Sequence, residues 1–200
     1  MKLVIEGMDG VGKSTIAKRV AEAYHMKYVD GLLKTYFEDK GFSQAEIATI
    51  VKGIESFYDH KDSVIRTWIM GFANIFNLLN YQEDVVIDRH CLTTFFYNGD
   101  AHSLPLYKVM QQVAGKPDLI IILTATPETR IQRLKHRNMD DRDLQEEKKL
   151  TDGYDQFIRA ADILKVPYRL VATDQRDEEQ VFQAVCQVID AYKQMGSDMK

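Results

Sequence analysis

The sequence has few cysteines, with Cys91 and Cys186 the only two among 200 residues. They lie far apart and lack the spacing of metal ligands, so a cysteine metal site is not indicated. Isolated thiols of this kind are typical of a reducing compartment, and we expect both to be reduced in the core of a cytoplasmic protein.

Long apolar runs are also missing, and no stretch approaches the length of a membrane span. The first predicted strand begins at residue 2, which leaves no room for a signal peptide ahead of it. Basic residues do not predominate either, because the net charge is −4, and a generally basic surface for nucleic acid is therefore not expected. We predict no membrane partner and no nucleic-acid partner.

What is present is a glycine-rich stretch near the amino terminus, Gly7-Met8-Asp9-Gly10-Val11-Gly12-Lys13-Ser14-Thr15. It follows an apolar run and precedes a helical pattern, and its spacing is that of a phosphate-binding loop. Glycines let backbone N–H groups turn towards anionic oxygens, and the helix start adds the positive end of its dipole. We predict that Lys13 contacts the β- and γ-phosphates of a nucleotide and that Ser14 offers its hydroxyl to Mg²⁺.

Strand and helix patterns alternate along the whole chain, without repeats, low-complexity segments or linkers. Strands are predicted at 2–6, 27–30, 84–88, 118–124 and 167–172. Such alternation predicts an α/β fold with a five-stranded parallel sheet and helices on both faces. With 45% hydrophobic residues, residues 1–200 suit a single domain. Residues that follow the strands then converge on one edge of the sheet.

Two carboxylates stand at these strand ends. Asp88 ends the third strand, where a phosphate-loop protein commonly holds Mg²⁺ directly or through water. The next residue, Arg89, is suited to bind a phosphoryl group bidentately. Asp30 ends the second strand and is either a site residue facing the ligand crevice or an ordinary turn residue.

The longest helical pattern, 62–81, carries an apolar stripe that is broader than one sheet face requires. The additional apolar residues are explained either by core packing or a subunit interface, or by stacking on a nucleobase. Trp68 and Phe72 are the candidates for base stacking. The segment 52–61 is predicted to be a loop, and the aromatic segment 93–99 suits core packing and substrate contact equally well.

A basic helix begins near Thr126 and is followed by a polar segment with little to bury. This combination predicts a mobile lid at about 137–146 that closes over phosphates. Closure would bring Arg137 and Arg142 onto the transferring group and exclude water. A solvated run of charges is the alternative interpretation.

The residues that carry these patterns resemble the thymidylate kinase family. The stretch 6–15 is similar to its phosphate loop, and Asp88-Arg89-His90 is similar to its Asp-Arg-Tyr motif. Residues 126–142 resemble its lid region, and 172–174 resemble the loop beside the adenine of ATP. The resemblance covers most of the chain and implies a three-layer P-loop NTPase fold with strand order 2-3-1-4-5. Together with the broad stripe, it also implies a homodimer.

The resemblance further implies roles for individual residues. Asp9 would contact a hydroxyl of the acceptor sugar, and Arg89 would hold the acceptor phosphate or bridge to the donor. Arg133 and Thr173 would contact the donor nucleotide. Because Gly10 stands where one group of the family has arginine, the catalytic arginine is expected in the lid, at Arg142 or Arg137.

The sequence departs from the family at two places. The family usually has Arg-Glu-Pro after the second strand, where Tyr28-Val29-Asp30-Gly31 stands here. Its substrate helix carries a phenylalanine and an arginine that read thymine, and no such pair aligns within 68–74.

Three functions therefore stay open. One is a thymidylate-type nucleoside monophosphate kinase that uses Mg-ATP. Another is a deoxynucleoside kinase with Asp30 as general base, because a hydroxyl acceptor needs a base. The third is a nucleotide-binding regulatory module without an acceptor.

Overall fold

The computed structural model describes residues 1–137, 144 and 154–197. Within them, the strands are β1 (Lys2–Gly7), β2 (Lys27–Asp30), β3 (Val85–Asp88), β4 (Leu119–Thr124) and β5 (Tyr168–Ala172). The helices are α1 (Lys13–Ala23), α2 (Lys34–Asp39), α3 (Gln44–Glu55), α4 (Ser63–Asn80), α5 (Cys91–Asn98), α6 (Leu104–Ala114), α7 (Pro127–Arg137), α8 (Asp155–Leu164) and α9 (Glu178–Ser197).

In this described part of the chain, five strands form one sheet in the order β2-β3-β1-β4-β5, and each neighbouring pair is parallel. The predicted fold class and strand order are confirmed. Every residue of β3 and β4 is buried, because helices cover the sheet on both faces. One layer contains α1 and α9, and the other contains α4, α5, α6 and α8.

Local sequence signals account for several helix starts. Ser43 and Glu46 form the predicted capping box at the start of α3, in which each side chain bonds to the other residue's backbone N–H. Pro127 is the first residue of α7, where the missing N–H carries no penalty. No helix in the described ranges has the length and apolar character needed to span a bilayer.

The structure corrects one boundary and adds two helices to the predicted elements. The predicted loop 52–61 is wrong in its first part, because α3 continues to Glu55. The segment 93–99 belongs largely to a helix, α5, and the helix α2 has no counterpart among the predicted elements. The predicted lid begins at the last residue of α7, and the rest of 137–146 except Leu144 lies outside the described residues.

Candidate active site

The glycine-rich loop joins β1 to α1 at the carboxyl edge of the sheet. Gly12 precedes α1 with a left-handed backbone (φ 93°), and Gly10 is also left-handed (φ 85°). A Cβ on Gly10 would lie 2.9 Å from the carbonyl oxygen of Arg130, so glycine is required there for conformation and for space. The backbone of this loop is therefore held in the form that a phosphate-binding loop requires.

Lys13 is the buried cation of the loop, with 4% of its surface exposed. Its Nζ donates to the carbonyl oxygen of Met8 at 2.7 Å and lies 3.4 Å from Oδ1 of Asp9. Burial lowers the pKa of Lys13 to about 8, and the nearby charge of Arg89 acts in the same direction. An anion bound in the loop would relieve the cost of this buried charge.

Asp9 lies between the loop lysine and the end of β3. Arg89 donates from Nη2 to Oδ1 of Asp9 at 2.5 Å, and the Tyr97 hydroxyl donates to Oδ2 at 2.9 Å. Burial by itself would raise the pKa of Asp9, but the charges of Lys13 and Arg89 outweigh it and hold the pKa far below its usual value. Asp9 is thus ionised and fixed in place by three neighbours.

The ends of β2 and β3 pack closely, which brings Asp30 beside Arg89. Asp30 and Asp88 are register partners in these parallel strands. A Cβ on Gly31 would lie 2.7 Å from the Asp88 carbonyl oxygen and 2.8 Å from that of Arg89, so only glycine allows this approach. Arg89 itself has a left-handed backbone (φ 72°), a strained conformation of the kind found at ligand sites.

Asp88 has a carboxylate oxygen suited to a cation. Its Oδ2 accepts a hydrogen bond from the Tyr28 hydroxyl at 3.1 Å, whereas its Oδ1 is buried and has no partner in the described part of the chain. Ser14, on the first turn of α1, is exposed. No cluster of three or more histidine, cysteine or acidic residues within the described ranges could hold a metal alone. A hydroxyl and a carboxylate that share the ion with nucleotide phosphates fit Mg²⁺, which usually keeps several non-protein ligands.

Glu6 was missed by the sequence reasoning. It is fully buried at the end of β1, and its Oε1 accepts from the backbone N–H of His90 at 2.9 Å and of Leu92 at 3.0 Å. The Thr93 hydroxyl donates to its Oε2. Because His90 caps α5 without a side-chain bond, the Glu6 carboxylate supplies the missing cap. A charged residue inside an otherwise apolar strand was the available signal.

A cavity of about 450 Å³ opens beside Asp9 and Arg89. Its walls come from the end of β2, from α4 and α5, and from the segment after α3, and they include Asp30, Asn74 and Asn98. The Thr94 hydroxyl, on α5, donates to the side-chain oxygen of Asn74, on α4, at 3.4 Å. The cavity is mostly lined by polar groups and is of the size of a small-ligand site.

The prediction that Trp68 and Phe72 stack on a base gains no support from this cavity, because neither residue lines it. Both side chains are exposed, by 55% and 53%, and lie on the outer face of α4. Met70 and Asn74 of the same helix line the cavity instead. Periodicity identified an apolar stripe, but the face that α4 buries consists mainly of polar and small residues together with Met70 and Leu78, and much of the stripe is exposed or half-exposed.

Two arginines of α7 donate hydrogen bonds to the loops that follow β1 and β5. Arg133 donates from Nη1 to the Thr173 hydroxyl and from Nη2 to the Thr173 carbonyl oxygen, both at 2.8 Å. Arg130, which the sequence reasoning did not select, is buried and donates from Nε to the carbonyl oxygen of Asp9 at 3.0 Å. Arg137 is exposed at the end of α7, and Arg142 lies outside the described residues.

Comparison with known proteins adds an independent finding. Residues 5–185 match the family model described as thymidylate kinase. A probable thymidylate kinase of Archaeoglobus fulgidus is 29% identical over 146 residues, which is 68% of this chain and 70% of that protein. A thymidylate kinase of Blochmanniella floridana is 26% identical over 205 residues and covers 95% of this chain and 93% of its own.

Solved structures with the same fold include a deoxyadenosine kinase from M. mycoides with bound dCTP, with a TM-score of 0.54 and 16% identity over 96% of this chain and 100% of that one. A shikimate kinase from Bacteroides thetaiotaomicron gives a TM-score of 0.54 and 17% identity over 94% and 97% of the two chains. At these identities the likeness extends to the fold alone.

Proposed function

The chain belongs to the thymidylate kinase family, and on that premise we propose that it transfers the γ-phosphoryl group of Mg-ATP to a nucleoside monophosphate of the thymidylate type. The observation that carries the proposal is the position of Asp9 between two cations. Lys13 lies on the phosphate-loop side of this carboxylate and Arg89 lies on the cavity side. Donor and acceptor phosphates would therefore meet at Asp9.

On the donor side, Lys13 exchanges the Met8 carbonyl for phosphate oxygens, and the backbone N–H groups of residues 7–15 bind the remaining oxygens. Val11 and Thr15 belong to the same proposed binding loop. Ser14 and Asp88 are the residues that would hold Mg²⁺, which when bound neutralises negative charge on the phosphates. Arg133 and Thr173 border the adenine in this proposal, supported by their mutual hydrogen bonds.

On the acceptor side, Arg89 binds the acceptor phosphate and Asp9 accepts a hydrogen bond from a sugar hydroxyl. Tyr97 orients Asp9 through its hydroxyl. Holding the two reacting groups in line supplies much of the rate enhancement in phosphoryl transfer, because little covalent chemistry is needed from the protein. Arg142 and Arg137, carried by a lid at about 137–146, would stabilise the charge on the transferring group.

The proposal also includes a homodimer in the cytoplasm. The outer face of α4 exposes Ile65, Trp68, Phe72 and Leu79, and the adjoining α6 exposes Val109 and Val113. An apolar surface of this kind is typical of a subunit interface. Cys91 and Cys186 are free thiols, of which Cys91 is buried and Cys186 is only partly buried, and isolated thiols suit a reducing compartment.

The test is ADP release from Mg-ATP by the purified chain with dTMP, dUMP, dCMP, dAMP and dGMP in turn. We expect turnover with at least one of them, and a fall of about 10²-fold or more in kcat/KM for Lys13→Ala. Lys108→Ala is the matched control, because Lys108 is exposed on α6 and remote from the loop. Absence of turnover with every monophosphate would overturn the proposal.

A further inference from the structure

We propose that the acceptor cavity also takes an unphosphorylated nucleoside and that Asp30 is the general base that removes the proton from its hydroxyl. The inference rests on the proposed function, because it uses the same donor site and the same transferred group. It adds a second acceptor class to that site.

The charge of the cavity also suits an acceptor that carries no phosphate. Of the described residues in its walls, four are carboxylates, Asp9, Asp30, Glu55 and Asp59, and two are cations, Lys34 and Arg89. Both cations already have acidic partners: Arg89 lies 2.5 Å from Asp9, and Nζ of Lys34 lies 3.6 Å from Oδ2 of Asp30. A monophosphate requires Arg89 to exchange Asp9 for the acceptor phosphate, whereas a nucleoside brings no charge into the cavity and requires no such exchange.

Asp30 has the position that a base requires. It ends β2 as the register partner of Asp88, and the backbone of the next residue, Gly31, packs against Arg89. The carboxylate therefore lies at the reacting end of the cavity, beside the arginine that faces Asp9. Of the groups at this end, Asp9 is already engaged by three neighbours.

The Asp30 carboxylate is oriented and still accessible. Its Oδ1 accepts the backbone N–H of Leu32 at 3.0 Å, and its own N–H donates to the Thr35 hydroxyl at 2.9 Å. Its side chain is 25% exposed, and within the described residues Oδ2 has only the 3.6 Å contact with Nζ of Lys34. One oxygen thus fixes the group while the other is available to accept a proton.

A second observation points to a ligand with hydrogen-bond donors. Asn98 lines the cavity with 3% of its surface exposed, and its Oδ1 has no hydrogen-bond partner in the described part of the chain. A buried carboxamide oxygen without a partner is costly, so a bound N–H or O–H group would stabilise it. A nucleobase or a sugar hydroxyl provides such a donor.

In the proposed step, the nucleoside hydroxyl oxygen forms a bond to the γ-phosphorus of ATP. The bond from that phosphorus to the β,γ-bridging oxygen breaks, and ADP leaves with the electron pair. The hydroxyl proton passes to the Asp30 carboxylate and then to solvent. A monophosphate acceptor needs no such base, because its attacking oxygen is already deprotonated.

The test compares thymidine with dTMP, and the other deoxynucleosides with their monophosphates, in ADP release by the full chain. We expect the wild type to turn over at least one nucleoside. For Asp30→Asn, we expect nucleoside kcat to fall about 10²-fold or more while KM for the monophosphate falls, because a negative charge beside a dianion is removed. Asp30→Glu should restore part of the nucleoside activity.

Asp39→Asn is the matched control, because Asp39 lies on α2, pairs with Lys27 and does not line the cavity. Turnover of monophosphates without turnover of any nucleoside would overturn this inference and leave the proposed function standing. Equal losses on both acceptors in Asp30→Asn, with no rescue by glutamate, would show a structural role and overturn the assignment of the base. Turnover of neither acceptor class would overturn both proposals.

Discussion

Asp9 shows how one carboxylate can connect the two proposed binding sites. Lys13, Arg89 and Tyr97 all contact it, and its backbone carbonyl accepts a hydrogen bond from the buried Arg130. Each cation keeps Asp9 ionised, and the negative charge of Asp9 in turn partly neutralises the positive charges of Lys13 and Arg89. Donor or acceptor binding must therefore rearrange the same group of charges.

The lowered pKa of Lys13 leads to a pH prediction for donor binding. Because burial lowers this pKa to about 8, the free protein loses the ammonium proton as pH rises through that value. ATP phosphates need the charged form, so the Kd for Mg-ATP should rise by about tenfold between about pH 7 and pH 9. Calorimetric titration over this range measures the effect.

The Lys13→Ala variant is the control for this titration, because it should bind Mg-ATP weakly and with no pH dependence in the same interval. A wild-type Kd that stays constant over the range would contradict the assignment of Lys13 as the phosphate-binding group.

At the scale of elements, α5 depends on a cap supplied by another part of the chain. Glu6 on β1 accepts the first N–H groups of this helix, and α5 carries Thr94, Tyr97 and Asn98 to the cavity. The end of β1 therefore determines where one wall of the acceptor site stands relative to the phosphate loop.

Removing this cap with Glu6→Ala should lower the free energy of unfolding by about 2 kcal/mol, because the N–H groups of α5 lose a buried acceptor. KM for the acceptor should rise more than KM for ATP, since α5 lines the acceptor cavity. Urea unfolding and steady-state kinetics measure the two effects. Glu22→Ala, at an exposed position on α1, should change neither, and an equal rise in both KM values would argue against the positioning role.

The lid that we propose at about 137–146 also leads to a test. Removal of a transition-state arginine typically lowers the rate by ~10³-fold or more, so Arg142→Ala or Arg137→Ala should lower kcat strongly while ATP affinity changes little. Arg169→Ala is a suitable comparison, because Arg169 is exposed on β5 and, among the described residues, its side chain donates only to the carbonyl oxygen of Tyr168. If kcat for both lid variants stays within about threefold of wild type, the catalytic arginine lies elsewhere.

At the scale of the whole molecule, α4 is unusual because its apolar face is outside. Thr67, Asn74 and Asn77 are buried, while Trp68 and Phe72 are more than half exposed. A single copy leaves this face in water, whereas a second copy would bury it and gain the free energy of apolar contact.

We therefore expect the 23.1 kDa chain to sediment as a dimer at micromolar concentration. Trp68→Asp combined with Phe72→Asp should convert it to monomers, because two charges would be buried in the interface. Met195→Asp, at an exposed apolar position on α9, should leave the dimer intact. A wild-type protein that sediments only as a monomer would contradict the expected interface.

Part of the site could be predicted because it is local in sequence. The phosphate loop is a stretch of nine consecutive residues, 7–15, whose backbone conformation depends on its own glycines. Asp88 and Arg89 were found because a buried parallel strand must end at the ligand edge of the sheet. The role of Asp30 was left open, because an aspartate that only forms a turn has the same local sequence pattern.

The sequence by itself determined the α/β fold class, the phosphate loop and the strand ends that carry Asp30, Asp88 and Arg89, because short-range periodicity and turn chemistry act within a few residues. Only the tertiary structure decided which face of α4 is buried, that Glu6 caps α5, and that Asp30 and Asn98 line one cavity. These contacts join residues that are distant along the chain, and the free energy of packing whole helices against the sheet selects them.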